Sequence, residues 1–149
     1  MAKRTLLLLS LLLAACQPAT PPTPITAVTG MEFTLAPGQT VAIADADLIL
    51  TLISVPDDGR CPLDIECAES GPVTVIVTVR SSLSEPREII FRTFTDNAGR
   101  VPEMEFQGMK DREEFEGVLI QVESVLPFPQ MSVSEIGDGE YRVSFLITK

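Results

Sequence analysis

"PVTVIVTVR", residues 72–80, alternates one residue at a time between two kinds of side chain. Val73, Val75, Val77 and Val79 fall on one face, and Thr74, Thr78 and Arg80 on the other. Successive side chains of a strand point to opposite faces, so the pattern predicts a strand with one face in a core. β-Branched residues suit that pleated, half-buried setting. The same period recurs outward from this stretch. "MEFTLA" sets Met31, Phe33 and Leu35 together, and "TVAIAD" does so with Val41 and Ile43. "DLILTLISV" is apolar on both faces, which predicts a central strand. "EIIFRTFT" reads as a fifth strand, and "EFEGVLIQVESVLP" contains a sixth with Val118, Ile120 and Val122 on one face. "EYRVSFLITK" ends the series with Tyr141, Val143, Phe145 and Ile147 together.

Turn chemistry separates these runs. "APGQ", "TDNAGR" and "IGDGE" combine glycine with Asn, Asp or Pro, residues that supply or preset the backbone angles of turns. "SEPRE" and "LPFPQ" stop strands with proline. "VPEMEFQGMKDREEFE", residues 101–116, reads as either a short strand near Met104–Phe106 or a helical turn over Lys110–Phe115. No stretch of ten or more residues carries a helical period. Seven or so short strands in about 120 residues predict an all-β domain over 29–149, an antiparallel sandwich or a Greek-key barrel.

The N-terminus reads as an export signal. "MAKR" brings Lys3 and Arg4, and "TLLLLSLLLAA" follows as a short apolar run. The run falls well short of the roughly 20 residues a membrane-spanning helix needs. "LAAC" then matches the bacterial lipoprotein lipobox. That resemblance implies cleavage after residue 15 and acylation of Cys16, so 1–15 is signal peptide. More than one acyl chain holds a protein stably on a bilayer. Gln17 stands after the cysteine, which by resemblance to enterobacterial sorting implies the outer membrane, or else the outer face of the cytoplasmic membrane. "QPATPPTPITAVTG" has four prolines in fourteen residues, so 16–28 is expected to be an extended tether.

Composition removes several function classes. Eleven basic and 21 acidic residues, less Lys3 and Arg4, leave a mature charge of 9 − 21 = −12. Such a chain lacks the basic patch that nucleic acid or anionic lipid requires. Histidine is absent, so imidazole-based nucleophile systems and metal sites are excluded. Tryptophan is absent too, and Tyr141 is the single tyrosine. No nucleotide, zincin or serine-hydrolase motif occurs. The expectation is a protein without catalytic residues, cofactor or metal.

Chemistry concentrates in "DDGRCPLDIECAESG", residues 57–71. In an exported chain Cys61 and Cys67 are expected to form a disulfide, with redox or metal chemistry the alternatives. Zinc would need four ligands where two thiolates stand, and a redox pair is more often C-x-x-C. Pro62 biases Cys61 to extended geometry. Asp58 with Gly59 suits a turn, and the five donors of Arg60 can tie the loop to carbonyls or a carboxylate. An anionic partner is the other reading of Arg60. The acidic residues Asp57, Asp58, Asp64, Glu66 and Glu69, with Asp45 and Asp47 nearby, raise a calcium-dependent adhesion or ligand-binding domain as the alternative function. The spacing departs from D-x-[DN]-x-[DN]-G, and Arg60 sits inside the cluster, so no calcium site is expected.

The loop resembles that of a family of small bacterial exported proteins carrying D-S-R-C-P, four residues, Cys, then x-x-x-Gly, between an apolar strand and a valine-rich one. Asp58, Arg60, Cys61, Pro62, Cys67 and Gly71 stand at the matching positions, and "VESVLPFP" is similar to the family's later strand. Gly59 replaces its serine, and Glu69 stands where an aromatic is frequent. The resemblance implies the β fold and the staple, with Asp58, Arg60, Pro62 and Gly71 ordering the loop, and it implies no activity. Together these readings predict a lipid-anchored envelope protein acting as a non-catalytic binding or structural module.

Overall fold

A computed structural model describes residues 25–149. Cys16, the signal segment and most of the expected tether lie outside the described residues. Nine strands form: β1 (Ile25–Ala27), β2 (Phe33–Leu35), β3 (Thr40–Ile43), β4 (Leu48–Asp58), β5 (Val73–Ser81), β6 (Arg87–Thr93), β7 (Arg112–Phe115), β8 (Val118–Leu126) and β9 (Arg142–Thr148). The one helical element among the described residues is a 3-10 turn at Asp138–Glu140. The strands build two sheets, ordered β1-β3-β4-β5-β6 and β2-β9-β8-β7. All neighbours are antiparallel except β1 and β3, which run parallel. The fold is an all-β sandwich.

The alternation that opens the sequence sets this packing. Val73, Val75, Val77 and Val79 are fully buried, and from the other sheet Val143, Phe145 and Ile147 meet them in one core. Phe145 lies between Phe33 and Phe91, with ring centroids at 6.0 and 6.4 Å. Burial of each such side chain contributes roughly 1.5–3 kcal/mol.

Three expectations need correction. Ile25–Ala27, inside the expected tether, joins the five-stranded sheet beside β3. Beyond Pro24 the chain again has N–H donors to give a ladder, and Ala27 packs against the core. Met31 is exposed, because Gly30 turns the chain there with positive φ before β2 begins. Neither reading of residues 101–116 holds. Met104–Phe106 is irregular, and Arg112–Phe115 is a strand. Phe115 is drawn into the core, and a two-residue turn at Glu116–Gly117 pairs β7 with β8 as a hairpin. β4 is central in its sheet, as its apolar run predicts. Ile49 is half-buried and Ile53 exposed on the outer face.

β4 also runs past Val55 to Asp58. Pro56 cannot donate to a ladder, and the pairing with β5 is irregular between Ser54 and Asp57, which accommodates it. This extension delivers Asp58 to the end of the sandwich where the cysteine loop begins.

Candidate functional site: the stapled loop and its cleft

The loop between β4 and β5 is closed at its base by backbone. Gly59 N donates to Pro72 O at 3.0 Å, and Gly71 N donates to Gly59 O at 2.8 Å. The approach is close enough that a Cβ on Gly71 would sit 2.6 Å from Gly59 O. Only glycine fits there. Further out, Cys61 and Cys67 are joined by a disulfide, and Cys61 N donates to Ser70 Oγ at 3.1 Å.

Arg60 locks the loop to the opposite sheet. Its side chain has no exposed surface. Nε donates to Asp58 Oδ1 at 2.7 Å and Nη2 to Asp58 Oδ2 at 2.5 Å, a two-pronged ion pair. Nη1 donates to Val125 O at 2.7 Å, and Nη2 also donates to Pro127 O at 2.9 Å. The guanidinium lies 5.1 Å from the Phe128 ring centroid. Asp58 further accepts from Tyr141 Oη at 3.1 Å. Burial, then the charge of Asp58, hold the Tyr141 hydroxyl well above the usual phenol range. The cluster therefore joins β4 to the end of β8 and the start of β9, across the two sheets.

A second set of bonds ties the loop to the β8–β9 connection. Leu63 N donates to Pro129 O at 3.2 Å. Asp64 accepts from Ser132 N at 2.7 Å and Ser132 Oγ at 3.0 Å. Between these loops and β4 opens a cleft of about 420 Å³, with Asp57, Glu135 and Asp138 among its walls alongside Val55, Met131, Ile136 and Tyr141. Arg60 is the one basic residue lining it, and Asp58 neutralises that charge. On the same two loops Leu63, Ile65, Met131 and Val133 are 50, 47, 53 and 85 % exposed.

The loop residues singled out from sequence thus meet in one place: Asp58 on Arg60, Pro62 lining the cleft, Gly71 against Gly59. The acidic residues do not act as one set. Asp45 and Asp47 lie in the β3–β4 turn, at the far end of the eleven-residue β4, roughly 30 Å away by strand rise. There Asp45 accepts from the Thr29 backbone and hydroxyl, which lower its pKa, and Asp47 accepts from Ser82. Among the described residues no group of three or more His, Cys, Asp or Glu could hold a metal ion. The sequence reading missed Tyr141 as a partner of Asp58, the carbonyls of Val125 and Pro127, and the whole β8–β9 loop. Its one available signal was "LPFPQ", where prolines flank the phenylalanine that carries Arg60. No protein-family model, curated protein or solved structure matches this chain.

Proposed function

We propose that this protein is a bacterial envelope lipoprotein, anchored through acylated Cys16, whose β-sandwich is a non-catalytic binding or structural module. The anchor rests on the basic head, the short apolar run and "LAAC". The observation that carries the binding reading is the build of the loop end. Four large apolar side chains stand exposed on two loops that a disulfide, an aspartate cap and a buried arginine hold in place. Apolar surface costs solubility unless a partner covers it, and ordering the loops in advance lowers the entropy lost on binding. The cleft beside them carries uncompensated carboxylates, so it favours a partner surface that is apolar with basic groups at its margin.

Two experiments test this. In cell fractionation, Cys16→Ser should move the protein out of the detergent phase with an unlipidated mass; a variant that stays there at the same mature mass defeats the anchor. Crosslinking and pull-down from the native envelope should capture a partner that Glu135→Lys with Asp138→Lys loses. An unchanged set of captured proteins rejects the cleft as the binding surface.

A further inference from the structure

The outer face of the five-stranded sheet carries a pattern that the loop end does not explain. Outward-facing side chains of a solvated sheet are normally polar. Here a row of isoleucines crosses three strands. Ile76 of β5 is paired with Ile90 of β6, and Ile53 stands in the bulge of β4 beside Ile76. Ile53 and Ile90 are 44 and 49 % exposed. The rows on either side are of different kinds. One side holds Thr51, Thr78 and Glu88 in register, and the other holds Asp57, Thr74 and Arg92. Glu88 and Arg92 thus flank Ile90 on one strand, both exposed and outside every ion pair among the described residues.

We propose that this face is a self-complementary surface by which two copies of the chain pair. A two-fold axis running along the isoleucine row seats each isoleucine on its own counterpart. The same axis exchanges the two flanking rows. It therefore lays Glu88 over Arg92 of the partner subunit, and Arg92 over the partner subunit's Glu88, while Thr78 meets the partner's Thr74. The Glu88–Arg92 match occurs twice in the dimer, as an isologous interface requires, and Asp57 falls on the partner's Thr51. Sheets stack about 10 Å apart with interdigitating side chains, which suits isoleucine and threonine. Five strands of three to eleven residues at about 4.8 Å spacing give a face of roughly 540 Å² per copy, at the lower end of specific interfaces. The pairing is therefore reversible.

The full chain in its own membranes provides the test. Ile90→Cys should join two copies through a short bis-maleimide, giving a band of twice the mass. Leu83→Cys, 90 % exposed in the β5–β6 turn, and the unsubstituted chain serve as blanks. Adding Glu88→Arg to Ile90→Cys sets arginine against arginine and should reduce the dimer about tenfold, since like charges juxtaposed at an interface are strongly unfavourable. Adding Arg92→Glu as well restores the opposite signs and should return the dimer to within about twofold of the starting yield. Crosslinking no stronger than with Leu83→Cys overturns the proposal, as does crosslinking chiefly to a different protein. A yield that ignores Glu88→Arg overturns it too.

Discussion

A guanidinium without exposed side-chain surface has lost its water, and Arg60 replaces that water with four of its five donors placed on Asp58, Val125 O and Pro127 O. Breaking a buried pair by removing one member leaves the other charge uncompensated, which costs about 3–5 kcal/mol. Arg60→Met should lower the unfolding free energy by that order in urea titration. Arg60→Lys should recover less than half, because an ammonium cannot bridge the carboxylate in two places and still reach both carbonyls. A loss under about 1 kcal/mol for Arg60→Met would show the cluster to be dispensable. Tyr141 offers a second measurement at the same point. Its hydroxyl is pushed up by burial and by Asp58. A phenol whose folded pKa exceeds its unfolded value near 10 adds stability that is fully present below about pH 10 and is lost as pH rises further. As the only tyrosine in a chain without tryptophan, it can be followed by absorbance at 295 nm. Tyrosinate should appear only together with loss of the β-sheet circular dichroism, and not in the folded protein near pH 10.

At the scale of the element, short connections carry the costs. The β7–β8 turn places Glu116 at φ 49° and Gly117 at φ 80°. Both central residues of this two-residue hairpin are left-handed, a setting that favours Asn-Gly over Glu-Gly. Glu116→Asn should therefore raise stability by about 0.5–1 kcal/mol, read as a higher midpoint in thermal unfolding. An unchanged midpoint would mean the glutamate is held there by something other than the turn. The Cys61–Cys67 ring is seven residues long, so replacing both cysteines with alanine should cost about 2 kcal/mol on the loop-entropy account. Gly71→Ala should cost about 1–3 kcal/mol, because its Cβ would strike backbone rather than a side chain that can swing away. Equal stability of Gly71→Ala and the parent would refute the close approach at the loop base.

Over the whole molecule, four of the aspartates from the sequence cluster serve separate local tasks: Asp45 on Thr29, Asp47 on Ser82, Asp58 on Arg60, Asp64 on Ser132. Calcium takes six to eight oxygens at one point, and these carboxylates are already apart and engaged. Thermal unfolding in EDTA and in about 1 mM calcium should agree within about 2 °C, whereas a site of about 10 μM affinity would raise the midpoint on the order of 10 °C. What the sequence determined by itself was local. Period-two alternation names six of the strands and the buried valines of β5, because pleating ties side-chain direction to residue number, and a two-sided apolar run names β4. The cysteines, Asp58, Arg60, Pro62 and Gly71 were legible as a loop unit because they are neighbours along the chain. β1 and β7 were not, since three or four residues carry too little pattern to read, and their pairing with β3 and β8 supplies what defines them. Only the tertiary structure decided that Arg60 turns inward. Its acceptors Val125 O and Pro127 O lie some 65 residues away, on a backbone whose carbonyls are the same at every position in the sequence. Tertiary structure likewise decided which face of β4 meets solvent, because a strand apolar on both sides does not state which side its partner sheet will cover.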